Sequence, residues 1–216
     1  MTSVFKDNKF FLIPFAAFLL FGLVFLTCHN RAETHLIINS YHNSFLDKIS
    51  PYITALGDGW TAVIVTLVLV FIKFRYVLLT GISFLIAAFF TQSLRHTIFQ
   101  GWPRPAKYFE GIHELHLVPG VTPYSINTFP SGHTTTAFAL FFCFSLLVKN
   151  NSLKLLFFIL ALLVAFSRVY LSQHFFGDVY GSSILGVFSA LVAYYIVLNV
   201  RKDWIGQPLQ KIFKRS

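Results

Sequence analysis

Long uncharged apolar blocks alternate along this chain with short polar joints, a spacing set by a membrane rather than by a soluble core. A helix crossing the ~30 Å hydrocarbon layer needs about 20 largely apolar residues. Six segments approach that length: residues 10–28, 60–74, 77–94, 134–148, 155–166 and 179–200. The second and fifth are short, so their ends extend into the flanking polar residues. The pattern predicts an all-α fold, a six-transmembrane-helix bundle forming a single domain over residues 1–216. The first block follows Lys6 and Lys9 as the apolar stretch of a signal peptide would. It lacks a small-residue cleavage site, and Phe25-Leu26-Thr27-Cys28 is a poor lipoprotein box, so it reads as a membrane helix.

Composition supports this reading. The chain is 56% hydrophobic and 12% charged, where a soluble domain carries about a quarter charged residues. Its 27 phenylalanines suit lipid-facing helices. A net charge of +9 would also suit nucleic acid, but position excludes that partner. Lys6 and Lys9, Lys73 and Arg75, Lys149 and Lys154, and the tail with Arg201, Lys202, Lys211, Lys214 and Arg215 all fall on one side of a six-helix chain. The positive-inside rule makes that side, with both termini, cytoplasmic. Segments 29–59, 95–133 and 171–178 then face outward, toward a periplasm where one exists. Cys28 and Cys143 form neither a metal spacing nor a disulfide framework, so no redox chemistry is expected.

The first outer segment is amphipathic, with Leu36, Ile37, Phe45, Leu46, Ile49, Ile53 and Leu56 at near-helical intervals. Two readings stand: a helix lying in the interface near lipid head groups, or one packed over the bundle. Gly57-Asp58-Gly59-Trp60 closes it with turn residues and an interfacial Trp.

Chemistry concentrates where apolar blocks end. His174 and Asp178 are four apart, so on one helix they share a face. A carboxylate there fixes one imidazole tautomer and leaves the other nitrogen free to attack. Arg168, six residues before His174, suits the equatorial oxygens of a phosphoryl group in in-line displacement. The plain alternative is a buried Arg–Asp pair with an incidental His. Pro130-Ser131-Gly132-His133 opens the fourth block. Helix-start amides bind anions, Gly132 permits close approach, Ser131 offers a hydroxyl and His133 a proton. Here the plain alternative is ordinary N-capping by Ser131. His113-Glu114-Leu115-His116 is one residue short of zinc-protease spacing, so no metal is expected there. That loop reads instead as a cover that contacts a head group. Tyr170, Phe175, Phe176 and Tyr180 surround the nucleophile motif as interfacial aromatics.

Pro-Ser-Gly-His followed by Ser-Arg, five residues, His, three residues and Asp resembles the second and third signature motifs of the type-2 phosphatidic acid phosphatase family, which includes the vanadium haloperoxidases. The resemblance spans roughly the last 120 residues, with its signature region at 95–178. It implies a six-helix bundle that hydrolyses a lipid phosphate without metal or other cofactor, through a phosphohistidine. It implies His174 as nucleophile, Asp178 as its orienter and His133 as general acid, with Arg168, Ser131 and Gly132 on the phosphate. The family's first motif is Lys, six residues, Arg-Pro. Arg104-Pro105 matches its end, but Thr97 stands at the Lys position. Arg95 and Lys107 are the available substitutes, and Arg95 also suits an interfacial anchor.

The resemblance implies an integral membrane phosphatase with a lipid phosphate as partner, and the chain's small size and outward-facing site point to a bacterial inner membrane. Undecaprenyl diphosphate and lipid A phosphate are favoured over glycerophospholipid phosphates. Lipid-to-lipid phosphotransfer would use the same phosphohistidine, and a non-catalytic phosphate-lipid transporter would need only the anion site. Haloperoxidase activity is remote, since those relatives are typically soluble.

Overall fold

The computed structural model describes residues 2–200 and residue 207, and among these the chain is helical. In order, the helices are α1 (Thr2–Asp7), α2 (Lys9–Cys28), α3 (Arg31–Ser40), α4 (Ser44–Ala55), α5 (Gly59–Leu69), α6 (Phe74–His96), α7 (Pro105–Tyr108), α8 (Gly132–Leu147), α9 (Asn151–Tyr170) and α10 (Phe176–Leu198). One isolated antiparallel bridge pairs Pro103 with Ile126 across the long α6–α8 connection.

The helices α8, α9, α10 and α6 form the centre of the bundle, with α8 packed against the other three. Its run from Ala137 to Cys143 is buried without a break, which is why it shows no polar face. Phe11 of α2 packs on Phe142 at 4.8 Å and on Phe158 at 5.6 Å between ring centroids. At Gly186 of α10 a Cβ would lie 2.6 Å from the Thr135 carbonyl oxygen, so α8 and α10 meet closely just inside the site end of the bundle.

Four helices, α2, α6, α9 and α10, are long and apolar enough to cross a membrane, and a fifth span arises if α4 and α5, bent by 51°, count as one. The helical membrane bundle expected from sequence is present, with four or five candidate spans and the shorter apolar α8 in place of a clear six. With 16 residues, α8 is about 24 Å long, and α5 with 11 residues about 16 Å. Both short helices begin at the same place. The N-cap of α5, Asp58, lies 3.5 Å from His133 in the first turn of α8. A site sunk into the bundle shortens the helices that start at its floor.

The first outer segment is two helices rather than one. Asn30 and Asn43 cap α3 and α4 through their side chains, which breaks the segment at Tyr41–His42. The second of them packs along α9, with Phe45 and Tyr52 turned outward. At the opposite end of the bundle Lys154 donates to the carbonyl of Asp7 at 2.5 Å, and Arg75 to that of Val197 at 3.5 Å. The basic tail with Arg201, Lys202, Lys211, Lys214 and Arg215 lies outside the described residues.

Candidate active site

His174 sits in the tight connection between α9 and α10, just before the helix rather than on it. Its backbone is held by the Arg168 carbonyl, which accepts from the amides of Gln173 at 3.0 Å and His174 at 3.2 Å. The preceding Ser172 has φ +52°, a left-handed conformation that turns the chain sharply enough to aim His174 inward. Asp178 is the third residue of α10, and its carboxylate accepts from the Phe175 amide at 2.9 Å and from the Thr128 hydroxyl.

The imidazole of His174 lies between Arg104 and Asp178. Arg104 Nη1 is 3.2 Å from Nε2, and Asp178 Oδ2 is 3.7 Å from Nδ1. A guanidinium can only donate, so Nε2 is the acceptor and Nδ1 carries the hydrogen, facing the carboxylate. At 3.7 Å that hydrogen makes no hydrogen bond, and Nδ1 has no other partner. Burial pushes the imidazole pKa down to about 3; Asp178 opposes the shift, and Arg104 and Arg168 add to it. His174 is therefore neutral at pH 7, with its lone pair directed at Arg104.

Arg104 is fixed from all sides. It donates to the carbonyls of Ile126 at 2.9 Å, Gln173 at 3.0 Å and Asn127 at 3.3 Å. Burial lowers its pKa to about 10, with Arg95 adding to the effect and Asp178 opposing it, so it remains charged at pH 7. Arg168, at the end of α9, donates to Thr54 of α4 at 2.9 Å, while its Nε has no partner. Arg95, at the end of α6, donates to the Pro130 carbonyl at 2.9 Å and also has a free Nε.

These groups surround a cavity of about 500 Å³ lined by Arg95, Arg104, Gly132, His133, Arg168 and His174, together with Gln92, His96 and the stretch Tyr124–Asn127. None of the lining residues is acidic. Three guanidiniums gathered in a half-enclosed site are costly unless an anion joins them. A second cavity of about 190 Å³ adjoins the first, sharing Gln92, Arg95, Gly132 and His133, and lies between α6 and α8 at the start of α5, past Phe84 and Ala88. His133 stands where the two meet.

Six of the eight residues singled out in the sequence line the cavity directly, and Asp178 backs His174. Ser131 is placed differently. It is fully buried, its hydroxyl accepts from the Thr134 amide at 3.4 Å and the Thr134 hydroxyl at 3.0 Å, and it caps α8. At the incomplete first motif, Arg95 lies in the cavity. Lys107 pairs with Glu110 at the surface, and Thr97 donates to the Ser93 carbonyl. His113 and Glu114 line a separate outer hollow of about 800 Å³, while His116 pairs with Asp47 at 3.0 Å. Among the described residues no group of three or more His, Cys, Asp or Glu is placed to hold a metal.

Three participants escape a motif reading. Thr128 holds Asp178, Thr54 holds Arg168 and Asp58 meets His133. Only Asp58 carries a local signal, as an acidic N-cap between two glycines, and that signal reads equally as a turn.

A cationic hollow with a neutral buried His, at one end of a helical membrane bundle, defines a membrane phosphatase, and the chain belongs to the PAP2 superfamily, whose model matches residues 76–202. It is 29% identical over 174 residues to the undecaprenyl-diphosphatase BcrC of Bacillus subtilis (strain 168), covering 75% of this chain and 84% of that protein. The fold is shared with LpxE of Aquifex aeolicus, at a TM-score of 0.69 and 23% identity over 77% of this chain and 96% of that one. It is shared also with a transmembrane PAP2-type phosphatidylglycerolphosphate phosphatase of Bacillus subtilis, at 0.63 and 20% over 88% and 98%.

Proposed function

We propose that the chain hydrolyses a lipid phosphate at the outer face of a bacterial inner membrane through a phosphohistidine, without a metal, and that undecaprenyl diphosphate is the substrate. The observation that carries the reading is the neutral His174, its Nε2 lone pair turned into a cavity walled by Arg95, Arg104 and Arg168. The likeness to BcrC supports the diphosphate.

The phosphoryl group seats among the three guanidiniums, and its oxygens draw Arg104 away from Nε2. The freed lone pair attacks phosphorus, forming an N–P bond as the P–O bond to the lipid side breaks with its electron pair. His133, protonated from solvent as the anionic phosphate seats beside it, gives that proton to the departing oxygen. Asp178 faces the Nδ1 hydrogen and stabilises the positive charge that the ring acquires. Water then attacks phosphorus while His133 takes back a proton, and the N–P electrons return to His174 as phosphate leaves. Gly132 and the first amides of α8 lie on the phosphate side. Ser131 contributes by capping that helix. The lipid portion lies along the second cavity, between α6 and α8 at the start of α5, beside His133.

The test is phosphate release from undecaprenyl diphosphate by the detergent-solubilised chain in EDTA, with phosphatidic acid and phosphatidylglycerol phosphate alongside. Turnover without metal, vanadate inhibition and loss in His174→Ala are expected. Release that survives in His174→Ala refutes the nucleophile. Tight binding without release favours a transporter, and label moving to an added lipid acceptor favours phosphotransfer.

A further inference from the structure

Asp58 belongs to no motif of the nucleophile or the phosphate cradle, yet the bend in the α4–α5 pair carries it to the site. Its Oδ1 accepts from the Trp60 amide at 2.8 Å and caps α5, while its Oδ2 lies 3.5 Å from His133 Nε2. The preceding Gly57 is pressed against the same histidine. A Cβ there would lie 2.5 Å from the His133 carbonyl oxygen and 2.6 Å from Val164. Only a residue without a side chain lets the α4–α5 turn approach so closely. Two independent contacts, one of backbone and one of side chain, thus tie this turn to His133.

We infer that Asp58 is the positioning carboxylate of His133, turning its ring toward the departing oxygen and holding the imidazolium that delivers the proton. The inference rests on His133 being the acid of the proposed reaction. It makes the site a pair of His–carboxylate couples with opposite tasks. Asp178 supports the histidine that gains the phosphoryl group, and Asp58 the histidine that gives up a proton. Asp58 lies 3.5 Å from His133, which lines both cavities, and with the lipid side of the scissile bond in the second, as proposed, its action falls on the leaving group. No bond to Asp58 forms or breaks. The proton passes from His133 to the leaving oxygen in the first step, and from water to His133 in the second.

Asp58→Asn separates this role from capping, because Asn caps a helix start as well as Asp does. Full-length chain in detergent is assayed by kcat/KM, which ends with leaving-group departure, on phenyl phosphate and on 4-nitrophenyl phosphate. Nitrophenolate leaves without a proton, and phenolate does not leave readily. Asp58→Asn is expected to lower kcat/KM about 30-fold or more on phenyl phosphate and less than about threefold on 4-nitrophenyl phosphate, a part of the usual general-acid contribution. Asp58→Glu recovers part of the loss, and Asp58→Ser, a cap without charge, behaves as Asp58→Asn. Equal loss on both substrates, or no loss on phenyl phosphate, overturns the inference. A wild-type chain that turns over neither ester refutes the phosphatase reading instead, and this inference falls with it.

Discussion

Thr128→Val changes one buried hydroxyl to a methyl group and leaves side-chain volume almost unaltered. Thr128 is fully buried, and its hydroxyl donates to Asp178 Oδ2, whose other donor is the Phe175 amide at 2.9 Å. Removing a donor to a buried carboxylate costs about 1.5–3 kcal/mol, the range for hydrogen bonds to charged groups. Asp178 would then be held from one side only, and it would swing toward or away from Nδ1, already 3.7 Å distant. If the whole cost falls on the transition state, kcat drops about 10- to 150-fold at 1.36 kcal/mol per decade. KM should change little, because Thr128 does not line the phosphate cavity. The assay is steady-state phosphate release with thermal unfolding in the same detergent, and Thr128→Ser as the rescue. A variant with kcat within twofold of wild type and unchanged stability would show that Thr128 does not hold the carboxylate, and that the orientation of Asp178 is set elsewhere.

Acid should destabilise the chain through its buried histidines, His35 and His174 among them. Burial lowers His35 to about 4 and His174 to about 3, against about 6.5 in the unfolded chain, so the unfolded state takes up protons first. Stability is complete above pH 6.5 and falls with acidification by up to about 1.4 kcal/mol per pH unit for each group until the folded pKa is reached. His35→Gln should make that slope shallower by up to one such increment in chemical unfolding measured from pH 6.5 to 4.5. Gly57→Ala should cost about 1–3 kcal/mol and most of the activity, since the added carbon meets backbone at 2.5 Å; a fully active, fully stable variant would refute the close approach. Arg104→Lys should lower phosphate affinity and melting temperature together, because a single ammonium cannot stand at the three places from which Nε, Nη1 and Nη2 of Arg104 reach their carbonyls, and isothermal titration with vanadate reads the affinity.

How much of this was legible in sequence differs by residue. His133, His174, Asp178, Arg168 and Arg104 carry fixed spacings that sequence displays, and all of them meet at one site. Arg95 could be weighed against Lys107 but not decided, because the choice depends on which way the chain turns after α6. Ser131 reads as either ligand or cap, and its geometry is that of a cap. Helix positions are legible within a few residues, whereas which of the helices span fully is legible only in part. Apolar content says that α5 and α8 are buried, but not that they begin below the surface. The partners Thr54, Asp58 and Thr128 were invisible for a different reason. Each reaches its target from 50 to 114 residues away, as Thr128 to Asp178 and Thr54 to Arg168, and pairing at that range leaves no local pattern.

Arg104 joins carbonyls that the chain delivers at very different times. Ile126 and Asn127 come before α8, and Gln173 comes after α9. A nascent chain entering the membrane helix by helix has no phosphate pocket until α9 has turned back and closed against the α6–α8 connection. Catalytic competence is thus among the last properties the protein acquires in biogenesis. On the proposed reaction, a chain arrested partway is inert toward the lipids around it.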